Sequence, residues 1–380
     1  MIVVVADDMT GAAEIAGVCL RYGLRVAFAT EVTSLPEADV LVIATDTRSM
    51  ELKDAIRETG RLLTRLKKAG VTSIFKKTDS VIRGHVLAEL EVALDVFEKE
   101  KVLLISANPA TGRTVANGIY YVNGIPLNET SFASDPDFPA TFSEVEKLLA
   151  DRYHPDISAT LGLSLTEIIS VPDASSRADM EEQALQLTKN VLPAGSAAFF
   201  EAFLRVQFPG KGRIFLKNFK FRGKQLIVCG SAHANSREFV RESGSNGIPV
   251  VEMPPILHSR YAQEEDVNVW ADEILKQFAQ CDKVIVTVGG RLISFEESSR
   301  VLKERVARAV NKVLSWIHID ELLIEGGATA FAIVREAGFT SFTPVTELGN
   351  GVVRMKVSGK EEMFMTNKPG SYLWPENLFR

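Results

Sequence analysis

Two periods of apolar and polar positions alternate along this chain. Short runs that are apolar at nearly every position, IVVVA (2–6), RVAFAT (25–30), DVLVIAT (39–45), TSIFKK (72–77) and KVLLISA (101–107), read as strands. Between them, stretches such as Lys53 to Lys68 and His85 to Glu100 place apolar residues at helical spacing among charges. Strands that alternate with helices predict parallel pairing through right-handed crossovers, and in such sheets ligands bind beyond the carboxyl ends of the strands. The regularity then breaks. YYVNGIPL (120–127) carries Asn123-Gly124 between apolar residues, the signal of a tight hairpin, and ASDPDFPA (133–140) reads as a loop.

The alternation resumes in the second half with QLIVCG (225–230), IPVVEM (248–253), KVIVTVGG (283–290) and ELLIEGG (321–327), and with a long helix before the last of these. The arginines of ERVARAV (304–310) read as that helix's solvated face. The basic, aromatic stretch FPGKGRIFLKNFKFRGKQ (208–225) lies between the two patterns and reads as the cover of a domain junction. The fold expected is therefore α/β, with two domains, each a mainly parallel sheet flanked by helices, and an active site in the cleft between them. The boundary falls near Arg222, giving residues 1–221 and 222–380.

Composition narrows the function. At 380 residues the chain is long enough for two α/β cores, and 46% hydrophobic with 24% charged residues fits a globular protein. A formal net charge of -6 argues against binding a phosphate backbone, so no nucleic-acid partner is expected. No apolar run approaches the length of a membrane span and no basic leader precedes the first strand, so a cytoplasmic, unanchored protein is expected. Homo-oligomerisation stays open. Cys19, Cys229 and Cys281 have neither disulfide-framework nor metal-ligand spacing and read as core residues. The signatures of P-loop NTPases, dinucleotide enzymes, α/β-hydrolases and zincins are all absent.

What remains is a set of polar clusters at the strand ends: Asp7-Asp8, Thr45 through Arg48, Lys76 through Ser80 with Arg83-Gly84, and Asn108 through Thr114. Parallel strands would bring them to one rim, where carboxylates accept from hydroxyls while Lys and Arg hold a carboxylate. That chemistry suits a small polyhydroxy acid. Any one cluster alone could be a helix cap, as Asp8 or Thr10 would be for the helix that follows. Lys76 and Lys77 are adjacent on a strand and should face opposite ways, so one of them is expected in the cleft. In the second half, Gly230-Ser231, Gly326-Gly327-Ala328-Thr329 and Gly370-Ser371 mark turns where a backbone can approach phosphate. His233 follows the first of these turns and would fix the loop or contact phosphate.

Seven motifs, ADDMTGAAE, TDTRS, KKTDSVIRGH, GRTVANGIYYVNGIPLNET, CGSAH, EGGATA and NKPGSY, occur in an order that resembles the four-carbon acid sugar kinase family. The resemblance implies an N-terminal domain that holds the acid and a C-terminal domain that binds ATP, with Mg²⁺ as the accompanying ion. It places Asp7, Asp8, Arg48, Lys76, Thr78, Asp79, Arg83 and Arg113 around the acid, and Ser231, Gly326, Gly327, Ala328, Thr329 and Gly370 at the nucleotide. Asp8, or Asp79 in its place, would act as the base that receives the hydroxyl proton, with threonate, erythronate or 3-oxo-tetronate as acceptor. The chain departs from the family pattern at Ala328, where an acidic residue is common, and at Gly349 to Val353, where a proline-glycine turn is expected. Two other readings of the same residues stay open: a divalent-metal lyase or aldolase using Asp7 and Asp8 as ligands, and a non-catalytic sugar-acid sensor.

Overall fold

The apolar runs form strands whose residues are buried on both faces, as the interior of a helix-covered parallel sheet requires. In the computed structural model, residues 1–135, 137–151, 168–209, 219–230, 233–289, 298–370 and 372–375 are described. The chain divides into two compact units, Met1–Arg25 with Thr33–Arg213, and Val26–Val32 with Ile214–Arg380. Among the described residues no helix is long and apolar enough to cross a membrane.

From the N-terminus, strands β1 (Ile2–Ala6), β2 (Val26–Ala29), β3 (Val40–Ala44), β4 (Ile74–Lys77) and β5 (Lys101–Ile105) are joined by helices α1 (Met9–Arg21), α2 (Leu52–Lys68) and α3 (Val86–Phe97). Beyond β5 come β6 (Arg113–Ala116), β7 (Ile119–Val122) and β8 (Ile125–Pro126), then α4 (Val145–Asp151), β9 (Ile169–Ser170), α5 (Arg177–Leu185), β10 (Val191–Gly195) and α6 (Ala197–Gln207). In the first unit the strand order is β3-β1-β4-β10-β5-β9, parallel throughout. A separate antiparallel sheet, β6-β7-β8, contains the expected hairpin. Its Asn123 and Gly124 have φ of 52° and 79°, the left-handed pair that a two-residue turn needs.

Small residues let α1 lie close on the sheet. Ala12, Ala13, Ala16 and Gly17 are buried beside Ile15 and Val18. α2 is amphipathic instead, burying Ala55, Leu62, Leu63 and Leu66, each large side chain contributing about 1.5–3 kcal/mol.

The second unit contains β11 (Gln225–Cys229), α7 (Ala234–Ser245), β12 (Val250–Glu252), α8 (Glu264–Phe278), β13 (Lys283–Thr287), α9 (Ser298–Trp316), β14 (Glu321–Glu325) and α10 (Gly327–Glu336). It ends in β15 (Ser341–Gly349), β16 (Val352–Val357) and β17 (Phe364–Lys368). Strands β12-β13-β11-β14-β17 run parallel, and β17-β16-β15-β2 continue the order antiparallel. β2 thus pairs within the second unit, Phe28 opposite Phe342 with ring centroids 5.7 Å apart. The sequence division at Arg222 treats everything before it as one domain; by contacts, residues 26–32 go with the second unit.

Arg305 differs from its expected place on a solvated helix face. It is buried, and its guanidinium donates to the carbonyls of Leu257 (2.6 Å) and Ser259 (2.9 Å), because the turn Pro255–His258 packs on α9 and exposes carbonyls that need donors. Residues 210–218, half of the 208–225 stretch, lie outside the described residues.

Candidate functional site

Register decides where the first unit's chemistry collects. Ala6 pairs with Ala44 and Lys77, and Gly195 with Lys77 and Ile105, so β1, β3, β4, β5 and β10 end level with one another. The residues that follow these ends, Asp7-Asp8, Thr45 to Arg48, Thr78 to Arg83 and Ser106 to Asn108, therefore meet at one rim, as the pattern predicted.

Asp8 does cap α1. Its extended backbone lets Oδ1 accept from Gly11 N–H at 2.8 Å, and Oδ2 accepts from the Thr10 hydroxyl. Capping does not exhaust it. Arg48 reaches across from β3, giving Asp7 two hydrogen bonds, Nε to Oδ2 at 2.9 Å and NH2 to Oδ1 at 3.0 Å, while its NH1 donates to Asp8 Oδ2 at 3.0 Å. The same NH1 stands 3.5 Å from Asp79 Oδ1. One guanidinium thus serves three buried carboxylates, a fork geometry that lysine could not supply.

Asp79 organises the turn after β4. Its Oδ2 accepts from the backbone N–H groups of Val81 (3.1 Å) and Arg83 (3.2 Å), and the Arg83 guanidinium returns to it at 3.0 and 2.9 Å. The turn holds Ile82 at a φ of 62°, a left-handed conformation uncommon for a β-branched residue and sustained here by the bonds around it. Asp135 accepts from the remaining face of Arg83 at 3.2 Å. Arg83 and Arg113 both stand over the Phe132 ring, at 5.8 and 5.7 Å.

The electrostatics separate these acids. Burial raises the Asp7 carboxyl above its ordinary range against the pull of Arg48. Burial also disfavours Asp8 as an anion, but Arg48, Lys77, Thr10 and the Gly11 N–H together outweigh it and hold Asp8 below the usual value. Asp79 is likewise penalised by burial and is nonetheless held well below that range by Arg83 and Arg48.

Of the two lysines, Lys77 joins the aspartates. Its Nζ donates to Thr78 O at 2.8 Å and lies 2.9 Å from where a Cβ on Gly11 would sit, beside Asp8. Lys76 forms a buried pair with Glu89 of α3, Nζ to Oε2 2.6 Å, while its charge also acts on Asp7. The structure therefore gathers Asp7, Asp8, Arg48, Thr78, Asp79 and Arg83 with Lys77, and engages Lys76 with a helix. Alternation signalled that the two lysines diverge; that Lys76 is the one held by a helix depends on Glu89, a contact between β4 and α3 that sequence spacing does not reveal. Arg113 reaches the group from β6 and donates to the Ser80 hydroxyl, while Tyr120 of β7 donates to Ser80 O. Ser80 belongs to the polar cluster read after β4; Tyr120, Phe132 and Asp135 were not picked out from sequence.

In the second unit, β11, β14 and β17 end side by side, with Cys229 opposite Glu325 and Glu325 opposite Lys368. Gly326 caps α10 with a φ of 95° and no side chain, so the first-turn N–H groups of Gly327, Ala328 and Thr329 have no side-chain cap. Gly230 is pressed against Thr329, and a Cβ there would run into the threonine side chain. Lys368 and Glu325 are buried and paired at 3.2 Å, and Lys368 also donates to Pro369 O (3.0 Å) and Tyr372 O (2.6 Å), fixing the turn that carries Gly370. Burial pushes the Lys368 ammonium below its ordinary value. Ser236 donates to the other oxygen of Glu325. Gly326, Gly327, Ala328, Thr329 and Gly370 thus stand at adjacent strand ends; Ser231 and Ser371 lie outside the described residues. Among the described residues no group of three or more His, Cys, Asp or Glu could hold a metal ion.

These features define an α/β protein with a carboxylate–guanidinium cluster on one unit and glycine turns on the other. Residues 2–203 match the family model described as "Sugar-binding N-terminal domain", and the chain belongs to that family. It is 31% identical over 255 residues to a D-threonate kinase of Bordetella bronchiseptica, an alignment that takes in 62% of this chain and spans 60% of that relative's length. It is 21% identical to a 3-oxo-tetronate kinase of Haemophilus influenzae over 407 residues, 98% of this chain and 97% of the relative. The crystal structure of a Haemophilus influenzae protein shares the fold, with a TM-score of 0.71 at 20% identity, covering 99% of this chain and 98% of that one.

Proposed function

We propose that this protein is an ATP-dependent kinase that phosphorylates the terminal 4-hydroxyl of a four-carbon sugar acid, with threonate, erythronate and 3-oxo-tetronate as the candidate acceptors. One observation carries the reading. The cations of the first-unit site are committed unequally: Arg48 and Arg83 are saturated by aspartates, whereas Arg113 faces a neutral partner, Ser80, and makes no ion pair among the described residues. A guanidinium left in that state is suited to a substrate carboxylate, which it can grip with two parallel bonds. The adjacent acids suit the hydroxyls of the same molecule, because an ionised carboxylate accepts.

In this reading Arg113 holds the acid's carboxylate, and Asp8 and Lys77 border the hydroxyls. Asp79 keeps Arg83 in place; an acid held so far below its ordinary range is a weak proton acceptor. Arg48 favours the ionised form of Asp8 and holds both Asp7 and Asp8 in place. The second unit holds the nucleotide. The uncapped N–H groups of α10 and the close approach allowed at Gly230 fit phosphate oxygens, and the Lys368–Glu325 pair fixes the Gly370 turn beside them. Mg²⁺ would be carried chiefly by the phosphates, where it offsets charge on the transferred group.

A coupled ADP-release assay over D- and L-threonate, D- and L-erythronate and their 3-oxo forms tests this. ADP release with at least one of these acids is expected, at a rate at least 100-fold above that without acid. Equal rates with and without every acid would sink the proposal.

A further inference from the structure

The acids beside the first-unit site are almost all spoken for. Asp7, Asp8 and Asp79 accept from Arg48 or Arg83, Asp135 accepts from Arg83, and Glu89 pairs with Lys76. Glu14 is different. It stands on α1 four residues after Thr10 and three after Gly11, so it shares the helix face that touches Asp8 and Lys77. It is half-buried, and among the described residues it accepts no hydrogen bond and joins no ion pair. The charged groups acting on it are Lys77 from the end of β4, Arg113 from β6, Asp8 from the end of β1, and Arg21 on its own helix. Arg21 is itself paired with Glu201 at 3.6 Å.

We propose that Glu14 accepts the proton of the hydroxyl that is phosphorylated, an inference that rests on the kinase reading above. As the hydroxyl oxygen bonds to the γ-phosphorus, its O–H bond breaks and the proton passes to a Glu14 carboxylate oxygen. The bond from the γ-phosphorus to the β,γ-bridging oxygen breaks at the same time, and its electron pair leaves on ADP. A base for this step needs a free oxygen and an affinity for protons closer to the working pH than that of a tightly paired acid. Glu14 has the free oxygens. Burial also raises its carboxyl above the ordinary glutamate value despite Lys77 and Arg113, whereas Asp8 and Asp79 are shifted the other way.

The test is the pH dependence of kcat for wild type, Glu14→Gln and Glu14→Asp, using whichever acid the wild type turns over. Glu14→Gln should lower kcat by about 100-fold or more while KM for acid and ATP stays within about threefold, the size of effect a lost general base has. The acidic limb of the wild-type profile should vanish with it. Glu14→Asp, which keeps the carboxylate but withdraws it, should retain that limb with a partial loss of kcat. A Glu14→Gln protein that keeps wild-type kcat, loses only KM or retains the acidic limb overturns the assignment. Should Glu14→Gln fail to fold, a Glu14→Asp protein with unchanged kcat overturns it equally. A wild type that releases no ADP with any acid defeats the kinase reading itself, so the two failures are distinguishable.

Discussion

Asp79 receives two backbone N–H groups and a two-point contact from Arg83, so its charge is anchored to the fold as well as to the site. Replacing it with asparagine leaves the half-buried Arg83 with Asp135 as its remaining carboxylate, a loss of charge-assisted hydrogen bonds of the kind that costs about 1.5–3 kcal/mol. The cost should depend on pH. Because Asp79 binds its proton more weakly folded than unfolded, its stabilisation is complete above the unfolded value near 3.8 and is lost as pH falls toward the lower folded value. The gap between wild type and Asp79→Asn in urea-unfolding free energy should therefore be full at pH 7 and narrow below pH 4; an equal gap at pH 7 and pH 3 would contradict the pairing. Asp7, raised by burial, works in the opposite sense and would blur the comparison if both were changed. The acids and Arg48 were visible in the sequence as polar residues after apolar runs. Lys77 was visible only as one of two adjacent lysines, and Glu14 was not singled out, since their roles depend on which neighbours are already engaged, and engagement is a property of the packed rim.

Helix α1 owes its position to Gly11 as much as to its apolar face. A Cβ at Gly11 would stand 2.7 Å from Asp8 Oδ1 and 2.9 Å from Lys77 Nζ. Gly11→Ala adds helix propensity of about 1 kcal/mol, so the melting temperature should change little while turnover falls at least tenfold. Full turnover in a well-folded Gly11→Ala protein would mean that Asp8 and Lys77 need no such proximity. Gly230→Ala applies the same reasoning to the start of α10, where the added methyl displaces Thr329. ADP should raise the wild-type melting temperature and leave that of the Gly230→Ala protein nearly unmoved. Periodicity made the parallel βα units and the Asn123-Gly124 hairpin legible. It missed the antiparallel run β15-β16-β17, because Pro344 and two bulges interrupt the alternation of β15. The GNGVV segment that departs from the family pattern proves to contain the turn between β15 and β16.

The segment at residues 26–32 carries a consequence for any attempt to separate the two units. RVAFAT was readable as a strand, but a strand's partner is not written in its own sequence, and β2 pairs with β15 through Phe28–Phe342 and Ala29–Ser341, with Thr30 donating to Thr340 O at 2.9 Å. A fragment cut at the Arg222 boundary leaves β15 without that neighbour, exposing a sheet edge that invites association. Residues 222–380 alone should therefore aggregate or melt well below the full chain, as light scattering and calorimetry would show. Intact protein is then the right material for locating ligands. Each ligand that binds only the folded state adds about 2.7 kcal/mol at 100 times its Kd, and hydrogen exchange shows where that protection falls. The acid should slow exchange at the amides following β1 and β4, Gly11 and Arg83 among them, and ADP should slow it at the first turn of α10. Protection by both ligands at the same amides, with none at the other set, would contradict the assignment of acceptor and nucleotide to different units and would leave the glycine turns as structural punctuation.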